Sequence, residues 1–148
     1  MGMIERCTSV EQAGWLELRQ ALWPQSRAEH VSEMSSLIAS PNRFAQFVAY
    51  STEGEAVGVV EAALRSDYVN GARSSPVAFL EGLYVVSEAR GKGIAGRLVA
   101  AVCDWARSVG CSELASDALL ENETSHAVHR ALGFAETERV VFFRKEFA

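Results

Sequence analysis

Val77-Ala78-Phe79-Leu80-Glu81-Gly82-Leu83-Tyr84-Val85-Val86, followed by Ser87-Glu88-Ala89-Arg90-Gly91-Lys92-Gly93-Ile94-Ala95-Gly96, is the stretch whose reading decides the fold. Its first half is the most apolar run in the chain, rich in aliphatic and aromatic residues, and predicts a strand near the centre of a sheet. From Gly93 a helix is predicted to about Val109, with Ile94, Leu98, Val102, Trp105 and Val109 on one face and Gly110 as its C-cap. The turn between them reads R-x-x-G-x-A from Arg90 to Ala95. Glycines at a helix N-terminus let a ligand approach the backbone and leave N–H donors free. With the positive end of the helix dipole, those donors make an anion site. Arg90 and Lys92 add charge suited to a pyrophosphate. The turn is neither GxxxxGK[ST] nor GxGxxG. The competing reading is a plain strand-to-helix turn with solvated basic residues.

Working outward, the upstream half reads as antiparallel structure. Met3 to Thr8 predicts a first strand, and Ser9-Val10-Glu11-Gln12 fits a capping box opening a helix that ends near Trp23-Pro24. Ala28 to Ala39 predicts a second helix ahead of Pro41. Phe44–Ser51 and Ala56–Arg65 predict a hairpin about the turn Thr52-Glu53-Gly54-Glu55, and Ser66–Pro76 a loop. Downstream, Glu113–Ser116 predicts a short strand and Ser125–Leu132 a helix closed by Gly133. Thr137–Lys145 predicts a last strand. The order β-α-α-β-β-β-α-β-α-β is a mixed α/β fold with an antiparallel front half.

Composition sets the class. The chain has 148 residues, 49% hydrophobic and 22% charged, a balance suited to one domain with its own core. We take that domain as residues 3–148, with Met1-Gly2 as start residues outside the fold. No apolar run is long enough to span a membrane, so no membrane partner is expected. The net charge of −5 argues against nucleic-acid binding, which needs a basic face. Cys7, Cys103 and Cys111 form no CxxC pair and read as reduced thiols of a cytoplasmic protein. His126 and His129 are spaced i, i+3 but lack further ligand partners, so no metal is expected. Cys103 and Cys111 read as small core residues rather than nucleophiles, Trp105 as core, and Glu121 and Glu123 as a solvated loop.

The turn from Arg90 to Ala95, Asn122, Ala127 and Leu132-Gly133-Phe134 resemble the GNAT superfamily of N-acetyltransferases over essentially the whole chain. That resemblance implies acetyl-CoA as co-substrate. It also implies that the backbone of Leu83, Tyr84 and Val85 binds the acetyl carbonyl and pantetheine arm. Residues Arg90, Gly91, Lys92, Gly93, Ile94, Ala95 and Gly96 would bind the pyrophosphate, and Asn122 would contact the cofactor arm.

Leu22-Trp23-Pro24, Asp67-Tyr68-Val69-Asn70-Gly71, Phe79-Leu80-Glu81-Gly82, Ala115-Ser116-Asp117 and Glu136-Thr137-Glu138-Arg139-Val140 further resemble aminoglycoside 6′-N-acetyltransferases of the chromosomal, short-chain type. Carried over residue by residue, the acceptor site implied is Trp23, Tyr68, Glu81, Asp117 and Glu138. The chemistry agrees. A polycationic sugar calls for carboxylates and for aromatic faces that take cation–π contacts. Glu81 stands out because a carboxylate inside an apolar strand is costly to bury unpaired, and Gly82 beside it suggests a bulge or a close backbone approach. Direct transfer needs a base for the 6′-ammonium, for which Asp117 or Glu81 are the candidates, and N–H donors near Leu83 for the oxyanion.

Two positions depart from the family pattern. His129 stands where many members carry the tyrosine that protonates the leaving thiolate. Phe142 and Phe143 stand where some aminoglycoside enzymes have a last-strand tyrosine. The family also implies a homodimer, often by pairing of C-terminal strands, and Val140–Phe143 is apolar enough for such an interface or, equally, for the core. Two rivals keep the same turn: acetylation of a polyamine, metabolite or protein N-terminus, and a catalytically silent module that binds acyl-CoA.

Overall fold

The apolar run forms the strand β4 (Val77–Val85) as expected, but it reaches its place through five earlier elements and one later strand. The computed structural model describes residues 2–148; Met1, one of the two start residues, lies outside the described residues. In chain order these are β1 (Ile4–Arg6), α1 (Trp15–Leu22), α2 (Arg27–Ile38), β2 (Phe44–Tyr50) and β3 (Ala56–Arg65). After β4 come α3 (Ile94–Ser108), β5 (Leu114–Ala115) and α4 (Glu123–Ala131). The sheet runs β1-β2-β3-β4-β5. Its first three pairings are antiparallel and the last, β4 with β5, is parallel.

Alternation divides the core between the two faces of this sheet. Ala45 and Ala49 of β2, Val60 and Ala62 of β3, and Ala78 and Leu80 of β4 pack with Leu98, Val102 and Trp105 of α3. The small residues on the strands make room for the large ones on the helix. On the other face Val48 and Val59 meet Trp15, Leu16 and Leu18 of α1 and Met34 of α2.

That second face is not purely apolar. Glu61 of β3 lies opposite Gln46 on β2 and Gly82 on β4. It accepts from Trp15 Nε1 and from Arg19 Nε, both at 2.9 Å. Arg19 also reaches Glu33 of α2 at 2.8 Å. Glu61 is 5% exposed, Arg19 3% and His30 0%. Burial pushes the Glu61 carboxyl above its ordinary range, against the downward pull of Arg19 and the Trp15 N–H.

Three expectations are corrected. The capping box does not open α1: Gln12 N–H and Glu11 N–H close a turn on Ser9, and the helix starts at Trp15 after a left-handed Gly14. The Gln12 amide is engaged elsewhere, donating to the Tyr50 hydroxyl at 2.8 Å. The helix α4 begins at Glu123, two residues early, because Asn122 Oδ1 accepts from Ser125 N–H and caps it. The last strand, expected over Thr137–Lys145, is not formed: among the described residues no strand follows Ala115. The segment has the composition of a strand, but a strand exists only as part of a ladder, and no neighbouring strand pairs with it here.

The buried pair makes a stability prediction. Glu61→Ala leaves Arg19 desolvated and only partly paired, and should lower the unfolding free energy by about 3–5 kcal/mol, read by urea denaturation; a loss under about 1 kcal/mol would mean the pair is solvated. Burial also pushes the Cys7 thiol up, with Glu61 and Glu5 adding to the effect. Ellman's reagent should therefore leave Cys7 and the buried Cys111 unmodified in the native protein, and reach all three thiols after denaturation. Fast native modification of Cys7 would show that α1 does not seal this face.

Candidate active site

The decisive local feature is one extra residue in β4. Glu61 pairs with Gly82, and the next position, Ala62, pairs with Leu80, so Glu81 is bulged out of the ladder. A bulge bends its strand and re-aims the side chains beside it. The pairing of β4 with β5 runs only over Ala78–Leu114 and Phe79–Ala115. Beyond Phe79 the two strands part, and the edge of β4 that carries Leu83, Tyr84 and Val85 has no strand on that side. Backbone donors on an open sheet edge next to a cleft are what an acyl carbonyl and a peptide-like arm require.

The glycine turn follows this strand edge directly in the chain. A short helical turn at Ser87–Ala89 leads into Arg90, Gly91, Lys92 and Gly93. Gly93 sits at the N-cap of α3 with φ 80°, where no side chain caps the helix. A β-carbon added to Gly91, Gly93 or Gly96 meets nothing within 4 Å, so the backbone of this turn is open to a ligand. Ile94 and Ala95 begin the helix beside it. Lys92 is exposed. Arg90 is not free: its Nε donates to the Val85 carbonyl at 2.9 Å and its guanidinium lies 5.9 Å from the Tyr84 ring. It ties the turn to the end of β4 while remaining at the surface.

The acceptor residues divide into groups. Trp23 closes α1 and lies against the bulge, where a β-carbon on Gly82 would meet its ring at 2.5 Å. The expected close approach at Gly82 is therefore made by a tryptophan. Glu81 is not buried; it is half-exposed and paired with Arg65 at 2.9 Å. Arg65 also stacks on Phe79, 3.6 Å from the ring centroid. Asp117 is exposed, two residues past Ala115. The ladder between β4 and β5 ends at Phe79 and Ala115, so Glu81 and Asp117 each lie two residues past its last pair.

Tyr68 is 78% exposed on the loop after β3. Glu138 lies on the irregular C-terminal segment, exposed, and not on a strand as expected. That segment passes the same loop, since Thr137 lies against Gly71. Tyr68 and Glu138 thus flank one contact between the loop and the C-terminal segment, and neither lines the cleft beside Trp23.

Asn122 and His129 belong to α4. Asn122 uses its side-chain oxygen as the N-cap, which leaves its amide nitrogen for other partners. His129 is held at both ring nitrogens. Its Nδ1 donates to the Ser125 carbonyl at 2.7 Å, and its Nε2 is 2.8 Å from the Ser116 hydroxyl, the neighbour of Asp117. With Nδ1 donating, neutral His129 accepts from Ser116.

Sequence reasoning missed the floor of this site. A cleft of about 450 Å³ between α1, α2 and the sheet is lined by Arg19, Trp23, Gln25, Glu33, Glu61 and Glu81, among others. The signal was available: Glu61 sits in Val57-Gly58-Val59-Val60-Glu61-Ala62-Ala63-Leu64, as unusual a place for a carboxylate as that of Glu81.

Comparisons with known proteins bear directly on this geometry. The model of the Acetyltransferase (GNAT) family matches residues 15–134. An aminoglycoside N(6′)-acetyltransferase type 1 of Serratia marcescens is 54% identical over 97% of this chain and 98% of its own length. The crystal structure of the aminoglycoside 6′-N-acetyltransferase AAC(6′)-Ih from Acinetobacter baumannii superposes with a TM-score of 0.93, at 46% identity, over 100% of both chains. The AAC(6′)-Iy enzyme, solved with the bisubstrate analogue CoA-S-monomethyl-acetylneamine, superposes at 0.92 with 41% identity over 99% of both. The chain belongs to the GNAT acetyltransferase family, among the aminoglycoside 6′-N-acetyltransferases.

Proposed function

We propose that this protein transfers the acetyl group of acetyl-CoA to the 6′-amine of aminoglycosides and thereby confers resistance to them. The observation that carries the reading is the β4 bulge, with different features of the chain on its two sides. On one side lie an open strand edge and an uncapped helix N-terminus, suited to an acyl carbonyl, a pantetheine arm and a pyrophosphate. On the other lies a cleft with Trp23 and two solvent-facing carboxylates, Glu33 and Glu81, suited to a cationic sugar. The likeness to AAC(6′)-Iy, solved with an analogue that joins coenzyme A to an aminoglycoside, supports the same pairing of ligands here.

The residues divide the work as follows. Bound acetyl-CoA supplies a thioester, an acyl group already activated for attack by an amine. Leu83, Tyr84 and Val85 hold its carbonyl and arm through the backbone. The turn from Arg90 to Gly96 holds the pyrophosphate, and Asn122 contacts the arm. Trp23, Tyr68, Glu81, Asp117 and Glu138 orient the acceptor, Trp23 as a flat face and the carboxylates as partners for ammonium groups. For the base we favour Asp117. Glu81 is held by Arg65, whereas Asp117 is exposed just past the end of β5 and has no ion pair among the described residues. His129 holds Ser116, and through it the loop that carries Asp117.

We further propose that the protein acts as a homodimer in the cytoplasm. Val140, Val141, Phe142, Phe143 and Phe147 are exposed in one short segment, Phe142 by 85% and Phe143 by 92%. Contiguous exposure of this kind is rare on a monomer and marks an interface. Pairing with a second copy would also supply the ladder partner that the predicted last strand lacks. The three free thiols suit a reducing compartment, and among the described residues no helix is long and apolar enough to cross a membrane.

Two experiments test these readings. Coenzyme A release should be rapid with tobramycin and kanamycin and absent with a 6′-hydroxyl aminoglycoside. Asp117→Asn should lower kcat by roughly 100-fold with little change in the KM for acetyl-CoA. Turnover confined to spermidine or a basic peptide would move the function to another amine, and silence with acetyl-CoA still bound would favour a non-catalytic module. Light scattering should give twice the 16.1 kDa chain mass. Phe142→Ser/Phe143→Ser should return it to the monomer value; a monomeric wild type would refute the assembly.

A further inference from the structure

The buried charge cluster beneath the acceptor cleft is bound to one residue of that cleft through three separate contacts. Arg19 lies with its guanidinium carbon 5.0 Å from the Trp23 ring centroid. Trp23 N–H donates to the Arg19 carbonyl at 2.8 Å, which ends α1 at the tryptophan. His30 of α2 lies with Nε2 3.1 Å from the Trp23 carbonyl and Nδ1 3.2 Å from Arg19 Nη1. A carbonyl can only accept and a guanidinium can only donate. His30 is therefore the neutral tautomer with its proton on Nε2, donating to Trp23 and accepting from Arg19. Arg19 in turn is fixed by Glu61 and Glu33. The ring so held rests against the Gly82 backbone, next to bulged Glu81.

We propose that Arg19 and His30 are positioning residues for the acceptor: they lock the Trp23 ring and carbonyl against the β4 bulge and so set the geometry of the cleft in which the amine is presented. This rests on the reading of that cleft as the acceptor site. An ordinary core would fill the space between α1, α2 and the sheet with apolar side chains, which is often as stable as a buried ion pair or more so. Here that space is given to a guanidinium with every known contact directed: two carboxylates, one imidazole, one indole face. The arrangement fixes orientation, which apolar packing does loosely, and the element it orients is the one wall of the cleft contributed by α1. None of these groups lies on the open edge of β4 or on the glycine turn, so the effect falls on the acceptor and not on acetyl-CoA.

The test is steady-state kinetics on His30→Leu, His30→Gln and Arg19→Lys, with thermal melts alongside. His30→Leu removes both hydrogen bonds while filling most of the volume. His30→Gln restores a donor for Trp23 and an acceptor for Arg19. Arg19→Lys keeps the charge facing Glu61 but loses the planar fork. Loss of one buried hydrogen-bonded anchor corresponds to roughly a 10-fold effect. His30→Leu and Arg19→Lys should raise the KM for tobramycin by about that factor and leave the KM for acetyl-CoA within about two-fold. His30→Gln should return the tobramycin KM to near the wild-type value. A lowered melting temperature with an unchanged tobramycin KM in the variants that fold would overturn the proposal and leave the cluster as scaffold alone. If the wild type instead acetylates only another amine, the acceptor assignment fails by itself, and the same KM ratio taken with that amine decides whether Trp23 is positioned.

Discussion

One residue too many in β4 governs the rest of the site. A strand of regular alternation would carry position 81 to the face opposite its neighbours and would run on beside β5. The bulge at Glu81 breaks both consequences at once. Glu81 leaves the ladder for the Arg65 guanidinium, and the pairing with β5 stops at Phe79 and Ala115. Beyond that pair the edge of β4 is left without a strand partner among the described residues, and Asp117 follows two residues after the end of the ladder. Gly82, next to the bulge, is the only residue type that leaves room for Trp23. An alanine there would meet the indole well inside van der Waals contact.

Much of this was legible because it is local. The glycine turn declares itself by residue type, and it differs from the left-handed Gly14 start of α1 in having open space around its backbone where Gly14 is pressed against Ala56. The central strand declares itself by apolar length, and the Glu81-Gly82 pair by being out of place in it. What was not legible depends on partners remote in sequence. Ser9 to Gln12 has the letters of a capping box, yet Gln12 is drawn to Tyr50, 38 residues away, and the helix waits for Trp15. Thr137–Lys145 has the letters of a strand but no ladder to join. Glu61 and Arg19 carry the same anomaly as Glu81, a charge on an apolar face. Each made sense only once the other was seen beside it, 42 residues away.

His129 illustrates the difference between a position and a role. Its place in α4 matches the residue that in many relatives gives a proton to the leaving thiolate. Both of its nitrogens are engaged, one by the Ser125 carbonyl and one by the Ser116 hydroxyl, and its ring lies edge-on to Phe134 at 5.2 Å. It fastens α4 to the end of β5. A coenzyme A thiolate is a stable leaving group, so the chemistry does not require an acid at this position. The cleft beside Trp23 shows the same economy, with a buried charge cluster whose contacts converge on one tryptophan.

The account stands on the claim that two clefts, one for an acyl carrier and one for a cationic acceptor, meet at the β4 bulge. An amide NMR titration tests it directly. Coenzyme A should shift the amides of residues 83–85 and 91–96 and leave the Trp15 indole N–H in place, while tobramycin should move the Trp23 indole and the amides around Glu81 and Gly82. Coenzyme A shifts centred on α1 and α2, with the start of α3 unmoved, would contradict the account at its root.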